Sequence, residues 1–223
     1  MEHHNLSWNN QELLNQSDYV FHCAGGAIPK GKSRLEVTEK SILITEQVFK
    51  GFKPLKSCKI IVISNPVDLI SFITQKVTGI PSHNIIGVGT FLDSIRMNYY
   101  VKKVLPKQNN INCILLGEHG ETAFVSHQLS KMNNKAVNLT LEQEQVALLL
   151  ERTKGAAKEI KQTEEATIYG VSLCAIRIFE SLLEEKETKI PVSTEMPDWL
   201  CKVLNTEKIF LSLYAKVNQD GVK

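Results

Sequence analysis

The sequence predicts an α/β fold, because short apolar runs of strand length alternate with longer segments of helical periodicity. Residues 59–64 read Lys-Ile-Ile-Val-Ile-Ser, a continuous apolar run typical of a parallel strand covered on both faces, and Asn65-Pro66 ends it. A second such run follows Asp18 and stops at Gly25-Gly26. An α/β sheet is therefore expected rather than a helix bundle.

The other elements follow in chain order from the same two periodicities. A helix is predicted after the loop 27–33, because Val37, Ser41, Ile44 and Val48 recur at helical spacing. Further predicted elements are helices over 67–77, 92–104, 142–163 and 168–183, strands over 84–89 and 112–117, and antiparallel strands over 190–193 and 209–217. The change of character after about residue 90 predicts two domains, 1–88 and 89–223, the second of them α+β.

Composition is that of an ordinary globular protein. The 223 residues are 43% hydrophobic and 22% charged with a net charge of +2, so neither disorder nor a nucleic-acid partner is expected. Five cysteines stand singly without a CxxC pair, which fits reduced thiols better than a disulfide framework or a metal site. No run of 18 apolar residues and no basic and apolar leader is present, so no membrane partner and a cytoplasmic location are expected.

Gly117-Glu118-His119-Gly120 places a histidine between glycines at the end of a predicted buried strand. Flanking glycines let a substrate approach the imidazole closely, and histidine gives and takes protons near neutrality. The motif therefore indicates an acid/base residue, and it fits equally a loop histidine without a role.

Two further segments carry charge suited to an anionic substrate. Asp93 and Arg96 lie three residues apart on a predicted helix and share a face, as a local ion pair or as a partner for histidine beside a carboxylate-binding guanidinium. The glycine-bearing loop that begins at Gly25 ends in Arg34, which could close over a bound anion or belong to a solvated surface.

Taken together and in this order, the motifs resemble the L-lactate/malate dehydrogenase family, and the L-lactate enzymes most closely. They are Ala24-Gly25 through Gly31-Lys-Ser-Arg34, Ser64-Asn65-Pro66-Val67-Asp68, Asn84-Ile-Ile-Gly87 through Leu92-Asp93-Ser94-Ile-Arg96, and Gly117-Glu-His119-Gly120. The resemblance covers nearly the whole chain and is specific as a set, although each motif alone is weak. It implies an oxidoreductase that transfers a hydride between NAD(H) and a small L-2-hydroxy or 2-oxo acid, and a homo-oligomer (dimer or tetramer).

The resemblance also implies a role for each site residue. His119 would exchange the proton with the substrate oxygen, Asp93 would orient it, Arg34 would polarise the carbonyl, and Arg96 would bind the substrate carboxylate. Asn65 would orient substrate and nicotinamide ribose, and Thr167 would line the pocket. Gly25, Ser64 and Asn65 are the predicted cofactor-binding residues.

Ile28, six positions before the mobile arginine, is the residue that sets substrate choice in the family. Malate enzymes have arginine there, and an apolar side chain cannot pair a second carboxylate, so oxaloacetate is disfavoured. L-lactate/pyruvate is the expected pair, and larger aliphatic 2-oxo acids stay open. Lys30 and Lys32 keep malate as the weaker alternative.

The sequence also departs from the family. The GxGxxG fingerprint, its strand and the acidic residue about 20 positions further on are not found in it. The predicted fold is therefore a partial Rossmann-type sheet that lacks its first βαβ unit, followed by an α+β substrate domain, and truncated at both ends relative to the family. Ser41 replaces the usual asparagine. A cofactor-less pseudoenzyme or interaction module is the competing hypothesis.

Overall fold

The computed structural model describes residues 7, 10–26, 34–137, 141–160, 162 and 167–223. The helices are α1 (Gln11–Asn15), α2 (Arg34–Val48), α3 (Val67–Thr78), α4 (Phe91–Val104), α5 (Gln143–Ile160), α6 (Tyr169–Leu183) and α7 (Asp198–Leu204). The strands are β1 (Tyr19–His22), β2 (Lys59–Val62), β3 (Ile85–Gly87), β4 (Ile111–Asn112), β5 (Leu115–Leu116), β6 (Phe124–Val125), β7 (Lys131–Met132), β8 (Lys135–Ala136), β9 (Thr188–Glu195), β10 (Phe210–Asn218) and β11 (Gly221–Val222). None of the helices in these ranges combines the length and apolarity needed to cross a bilayer.

One six-stranded sheet dominates the structure, in the order β1-β2-β3-β9-β10-β11. The first three strands are parallel, as predicted for strands joined by crossover helices. β9 and β10 form the predicted antiparallel pair, and Gly87 of β3 pairs with Ser193 of β9. The sheet therefore continues from the parallel strands into the C-terminal half, and the division into domains 1–88 and 89–223 stays a prediction.

Alternating side chains of the central strands build a core on each face of this sheet. Ile61 and Ile86 pack with α6, where Ile178 and Leu182 are fully buried. Their neighbours Ile60, Val62 and Ile85 face the opposite side and pack with Val67 and Ile70 of α3 and with Phe49. The period of two along a strand explains why an unbroken apolar run is needed here.

A third cluster joins α4 to α5 over the small strands, with Met97, Leu115 and Leu149 among its buried members. In the sequence of α5, residues 146, 150, 153, 157 and 160 recur at helical spacing and predict one buried stripe, whereas the buried residues are Val146, Leu149, Thr153 and Ala156. The observed stripe combines i+3 and i+4 steps, as a period of 3.6 requires, so three of the five predicted positions, 150, 157 and 160, were wrong.

The strand predicted over 112–117 is interrupted, and its two parts belong to different small sheets, β4-β7-β8 and β5-β6. In this segment, side-chain oxygens rather than a neighbouring strand accept the hydrogen bonds of the backbone N–H groups. The N–H groups of Cys113, Ile114 and Leu115 donate to Asn98 Oδ1 at 2.7 Å, Ser130 Oγ at 2.8 Å and Ser94 Oγ at 2.9 Å. These bonds take the place of a strand ladder. Two of the three acceptors, Ser94 and Asn98, belong to α4, so the segment is bound to that helix.

Candidate active site

The turn after β5 carries His119 and is anchored to the large sheet. Gly117 exchanges two backbone hydrogen bonds with Ser212 of β10, each at 3.0 Å. Gly117 also has a φ of 95°, a left-handed conformation that glycine adopts without the penalty of a Cβ. The turn is therefore held at a fixed place beside the start of α4.

His119 and Asp93 form the central contact of the site. His119 Nδ1 lies 2.7 Å from Asp93 Oδ2, a length typical of a charge-assisted hydrogen bond. Asp93 occupies the first turn of α4 and is 7% exposed. Because a carboxylate only accepts, Nδ1 carries the proton. His119 Nε2 has no hydrogen-bond partner among the described residues, so this nitrogen is the one that can face a substrate.

The surroundings of His119 favour its charged form. Burial lowers the pKa of the imidazole, but the hydrogen bond and charge of Asp93, together with the charge of Asp68, outweigh burial, and the pKa lies above the ordinary 6.5. Arg96 opposes this rise. A histidine with a raised pKa stays protonated to a higher pH than a free imidazole, which suits a general acid.

Arg96 lies one helical turn beyond Asp93 on the same face of α4. Its Nη1 is 3.8 Å from Asp93 Oδ1, and its side chain is 14% exposed. The local ion pair suggested by the spacing is present, but 3.8 Å is too long for a hydrogen bond. The guanidinium fork therefore keeps donors for an anion, so the two interpretations of Arg96 are compatible.

Helix α6 packs beside the segment of α4 that carries Asp93 and Arg96. A Cβ added at Gly170 would lie 3.1 Å from Leu92 Cδ1, next to Asp93 in the chain. Burial raises the pKa of the Cys174 thiol to about 12, and the charges of Arg96 and Asp93 act on it in opposite directions. Thr167, half-buried, precedes α6 by two residues, which is compatible with the predicted pocket wall.

The predicted cofactor-binding residues lie together where β1 and β2 end. The Ser64 hydroxyl donates to the Ala24 carbonyl, and a Cβ added at Gly25 would lie 3.2 Å from Ser64 Oγ. The Gly26 N–H donates to Ser41 Oγ at 3.0 Å, so Ser41 anchors the loop start from α2. Asn65 is exposed at the same edge. Glycine fits position 25 because a side chain there would contact Ser64 closely.

Two predicted residues cannot be placed in the site. Ile28 lies outside the described residues, and Arg34 is the first residue of α2, with its side chain outside the described part. Their roles stay predictions.

Asp68 was missed by the sequence analysis as a site residue. Its Oδ2 accepts the His119 backbone N–H at 2.9 Å. Burial raises the pKa of Asp68, and the Ser193 hydroxyl and the His119 N–H oppose that rise. Its place in the first turn of α3 explains a carboxylate there, because acidic groups are favourable at a helix N-terminus, but the sequence does not link it to His119.

Comparison with known proteins agrees with this geometry. The family model for the lactate/malate dehydrogenase NAD binding domain matches residues 1–87, and the model for the alpha/beta C-terminal domain matches residues 90–223. An L-lactate dehydrogenase of Clostridium botulinum is 29% identical over 216 residues, which cover 93% of this chain and 67% of that protein.

Solved structures have the same fold. The minor L-lactate dehydrogenase of Enterococcus mundtii in its ligand-bound form has a TM-score of 0.85 and 25% identity, covering 96% of this chain and 70% of that one. The malate dehydrogenase of Archaeoglobus fulgidus in complex with NADH has a TM-score of 0.82 at 24% identity, covering 96% and 68%, and supports the fold alone.

These matches confirm the predicted fold class and the predicted family. The two family models together cover residues 1–87 and 90–223, and the solved structures superpose over nearly the full length of the chain. The chain belongs to the lactate/malate dehydrogenase family, whose members are NAD-dependent oxidoreductases.

Proposed function

We propose that this chain carries the proton-transfer and carboxylate-binding sites of an NAD-dependent L-2-hydroxy-acid dehydrogenase that prefers the pair L-lactate and pyruvate. The observation that supports this most strongly is the 2.7 Å contact between His119 Nδ1 and Asp93 Oδ2, with Arg96 on the same helical face. It combines a proton donor with a cation suited to a 2-oxo acid carboxylate.

In the direction of reduction, the His119 imidazolium gives its Nε2 proton to the carbonyl oxygen of the bound 2-oxo acid. Asp93 keeps the other proton on Nδ1 and stabilises the positive charge before transfer, so the ring always presents Nε2. In the direction of oxidation, neutral Nε2 takes the hydroxyl proton, and the charge that develops on the ring is again matched by Asp93.

The remaining residues bind and orient the substrate. Arg96 pairs with its carboxylate, and Thr167 lines the wall beside that group. Arg34 polarises the carbonyl as negative charge develops on its oxygen, while Asn65 orients the substrate toward the ribose. These roles extend the family resemblance to the matching positions of this chain.

The residues near Gly25 fit the nicotinamide end of NAD. The close approach of Gly25 to Ser64, at 3.2 Å from an added Cβ, gives a side-chain-free wall beside Asn65. When bound, the nicotinamide ring supplies or accepts the hydride. The GxGxxG segment that would hold the pyrophosphate is not found in the 223 residues. We therefore expect weak NADH binding by this chain.

Ile28 supports pyruvate over oxaloacetate, because an aliphatic side chain leaves a second substrate carboxylate unpaired. The named relative from Clostridium botulinum is an L-lactate dehydrogenase, which agrees with this choice. Lys30 and Lys32 favour the alternative, a malate dehydrogenase, because either ammonium could pair a dicarboxylate.

The test compares kcat/KM for pyruvate, a longer aliphatic 2-oxo acid and oxaloacetate at saturating NADH, with His119→Gln as the inactive control. We expect slow turnover that depends on His119, with pyruvate or the longer acid preferred. Preference for oxaloacetate would favour the malate enzyme. NADH oxidation at the same rate in His119→Gln, or no NADH binding at all, would favour the pseudoenzyme and contradict the proposal.

A further inference from the structure

Asp68 contacts the backbone of His119, whereas Asp93 contacts its ring. Asp68 Oδ2 accepts the backbone N–H of His119 at 2.9 Å, and Asp68 Oδ1 is buried without a hydrogen-bond partner among the described residues. The geometry points to Asp68 as a positioning residue: its carboxylate fixes the His119 turn and, with Asp93, stabilises the imidazolium. This inference rests on the proposed function only for the role that it gives to His119.

Asp68 joins two parts of the site that are far apart in sequence. It sits in the first turn of α3, three residues after Asn65, and its partner His119 is 51 residues further along the chain. The single bond therefore ties the end of β2, where the nicotinamide is expected, to the turn that carries the proton donor. A shift of α3 would displace His119 relative to the ring that must face it.

The carboxylate lies where its charge is poorly compensated. Ser193 Oγ is near enough to lower the pKa of Asp68, yet neither it nor Asp68 Oδ1 completes a hydrogen bond of acceptable geometry. A buried carboxylate with one oxygen unpaired is unfavourable, and protonated His119 is a cation among the described residues that lowers the pKa of Asp68.

The electrostatic coupling between the two groups is reciprocal. His119 favours the ionised form of Asp68, and Asp68 favours the protonated form of His119, so the two titrate as a coupled pair. Among the described residues, the other charged or titratable groups that these interactions involve are Asp93 and Arg96 of α4, Glu118 in the same turn, and Cys174 of α6. Of these, Asp93 acts in the same direction as Asp68 and Arg96 acts against it.

The pKa of His119 distinguishes an Asp68 that only holds the turn by a hydrogen bond from an Asp68 that also acts through its charge. Asp68→Asn keeps an oxygen that accepts the His119 N–H but removes the charge. A purely structural Asp68 would leave the pKa of His119 unchanged in this variant. The proposed coupling requires that pKa to fall.

The experiment follows the His119 imidazole by NMR across a pH titration of the isotope-labelled 223-residue chain, with the signal assigned by its loss in His119→Gln. Asp68→Asn is expected to lower the pKa of His119 by about 0.5 or more, roughly a threefold rise in its acid dissociation constant. The matched control is Glu118→Gln, which removes a charge from the adjacent residue, whose carboxylate accepts the Thr122 hydroxyl at 2.6 Å. We expect a smaller change in the His119 pKa there, because Glu118 acts on Asp68 but does not accept the His119 N–H. Equal His119 pKa values in Asp68→Asn and the unaltered chain would overturn the inference.

If Asp68→Asn does not fold, the unaltered chain decides the question. The Asp68 carboxyl carbon signal is expected to shift as His119 loses its proton, and a flat signal through that range would overturn the coupling. No measurement here requires NADH or pyruvate. A chain without dehydrogenase activity would refute the proposed function and leave the coupling intact, whereas a missing coupling in an active chain would refute only the role of Asp68.

Discussion

His22 ends β1 directly before the cofactor-side loop, and its imidazole is only 2% exposed. It packs edge-on against Phe49 with ring centroids 5.0 Å apart, and Nε2 lies 3.1 Å from Thr45 Oγ1. No carboxylate among the described residues offsets its burial, and burial lowers the pKa of His22 from 6.5 to about 4. Protonating this ring in the folded protein is therefore strongly unfavourable, and folding stability must depend on pH.

The sign follows from which state binds the proton more tightly. Between pH 6.5 and 4 the unfolded chain binds a proton at His22 that the folded chain excludes, so the free energy of unfolding falls as the solution is acidified. The pKa difference of about 2.5 corresponds to about 3 kcal/mol at 1.36 kcal/mol for each pKa unit. This loss is complete only near pH 4 and is absent above the unfolded pKa.

The assay is denaturant unfolding at several pH values for the unaltered chain and for His22→Leu. We expect the difference in unfolding free energy between the two to change by about 3 kcal/mol from pH 7 to pH 4, with the leucine variant the less sensitive. Thr45→Val is the matched control, because it removes the hydroxyl next to Nε2 but leaves the buried imidazole and hence the pH dependence. Parallel stability curves for the unaltered chain and His22→Leu would refute burial as the cause.

Three further perturbations test the site and the sheet. Asp93→Asn is expected to lower the histidine pKa and reduce kcat/KM for pyruvate about a hundredfold or more, measured as a pH profile. Gly25→Ala is expected to weaken NADH binding in a fluorescence titration, because its Cβ would lie 3.2 Å from Ser64 Oγ, whereas Gly26→Ala, with contacts of 3.4 Å, is the control. Gly87→Ala is expected to lower stability by about 2 kcal/mol in denaturant unfolding, because its Cβ would lie 2.7 Å from two side-chain atoms.

The parts of the site that could be predicted are those with a local signature. The strand-ending glycines marked the turn of His119, and the three-residue spacing put Asp93 and Arg96 on one face of α4. Their meeting with His119 could not be derived from spacing, because the two segments belong to different elements 26 residues apart. The family resemblance supplied that pairing, and the 2.7 Å contact agrees with it.

Two features were not predicted, the interruption of the strand over 112–117 and the role of Asp68. In both, a side chain accepts a hydrogen bond from the backbone of a distant segment. The interruption of the strand over 112–117 depends on Asn98, Ser94 and Ser130, and no apolar pattern reveals which distant side chain will accept a backbone N–H. Asp68 was missed for the same reason. Its partner is the backbone of His119, and a backbone group leaves no signal in the sequence.

These same bonds explain how the site stays fixed although its residues come from separate segments. His119 is held on three sides: its turn pairs with Ser212 of β10, its N–H donates to Asp68 of α3, and its ring donates to Asp93 of α4. Each anchor belongs to an element that is itself packed against the six-stranded sheet. Motion of the ring therefore requires breaking a hydrogen bond or shifting a packed element, and either change is opposed by the buried core. If His119 is the proton donor of the proposed function, this restraint keeps Nε2 at one place while substrate and cofactor bind and leave, as acid/base catalysis at that atom requires.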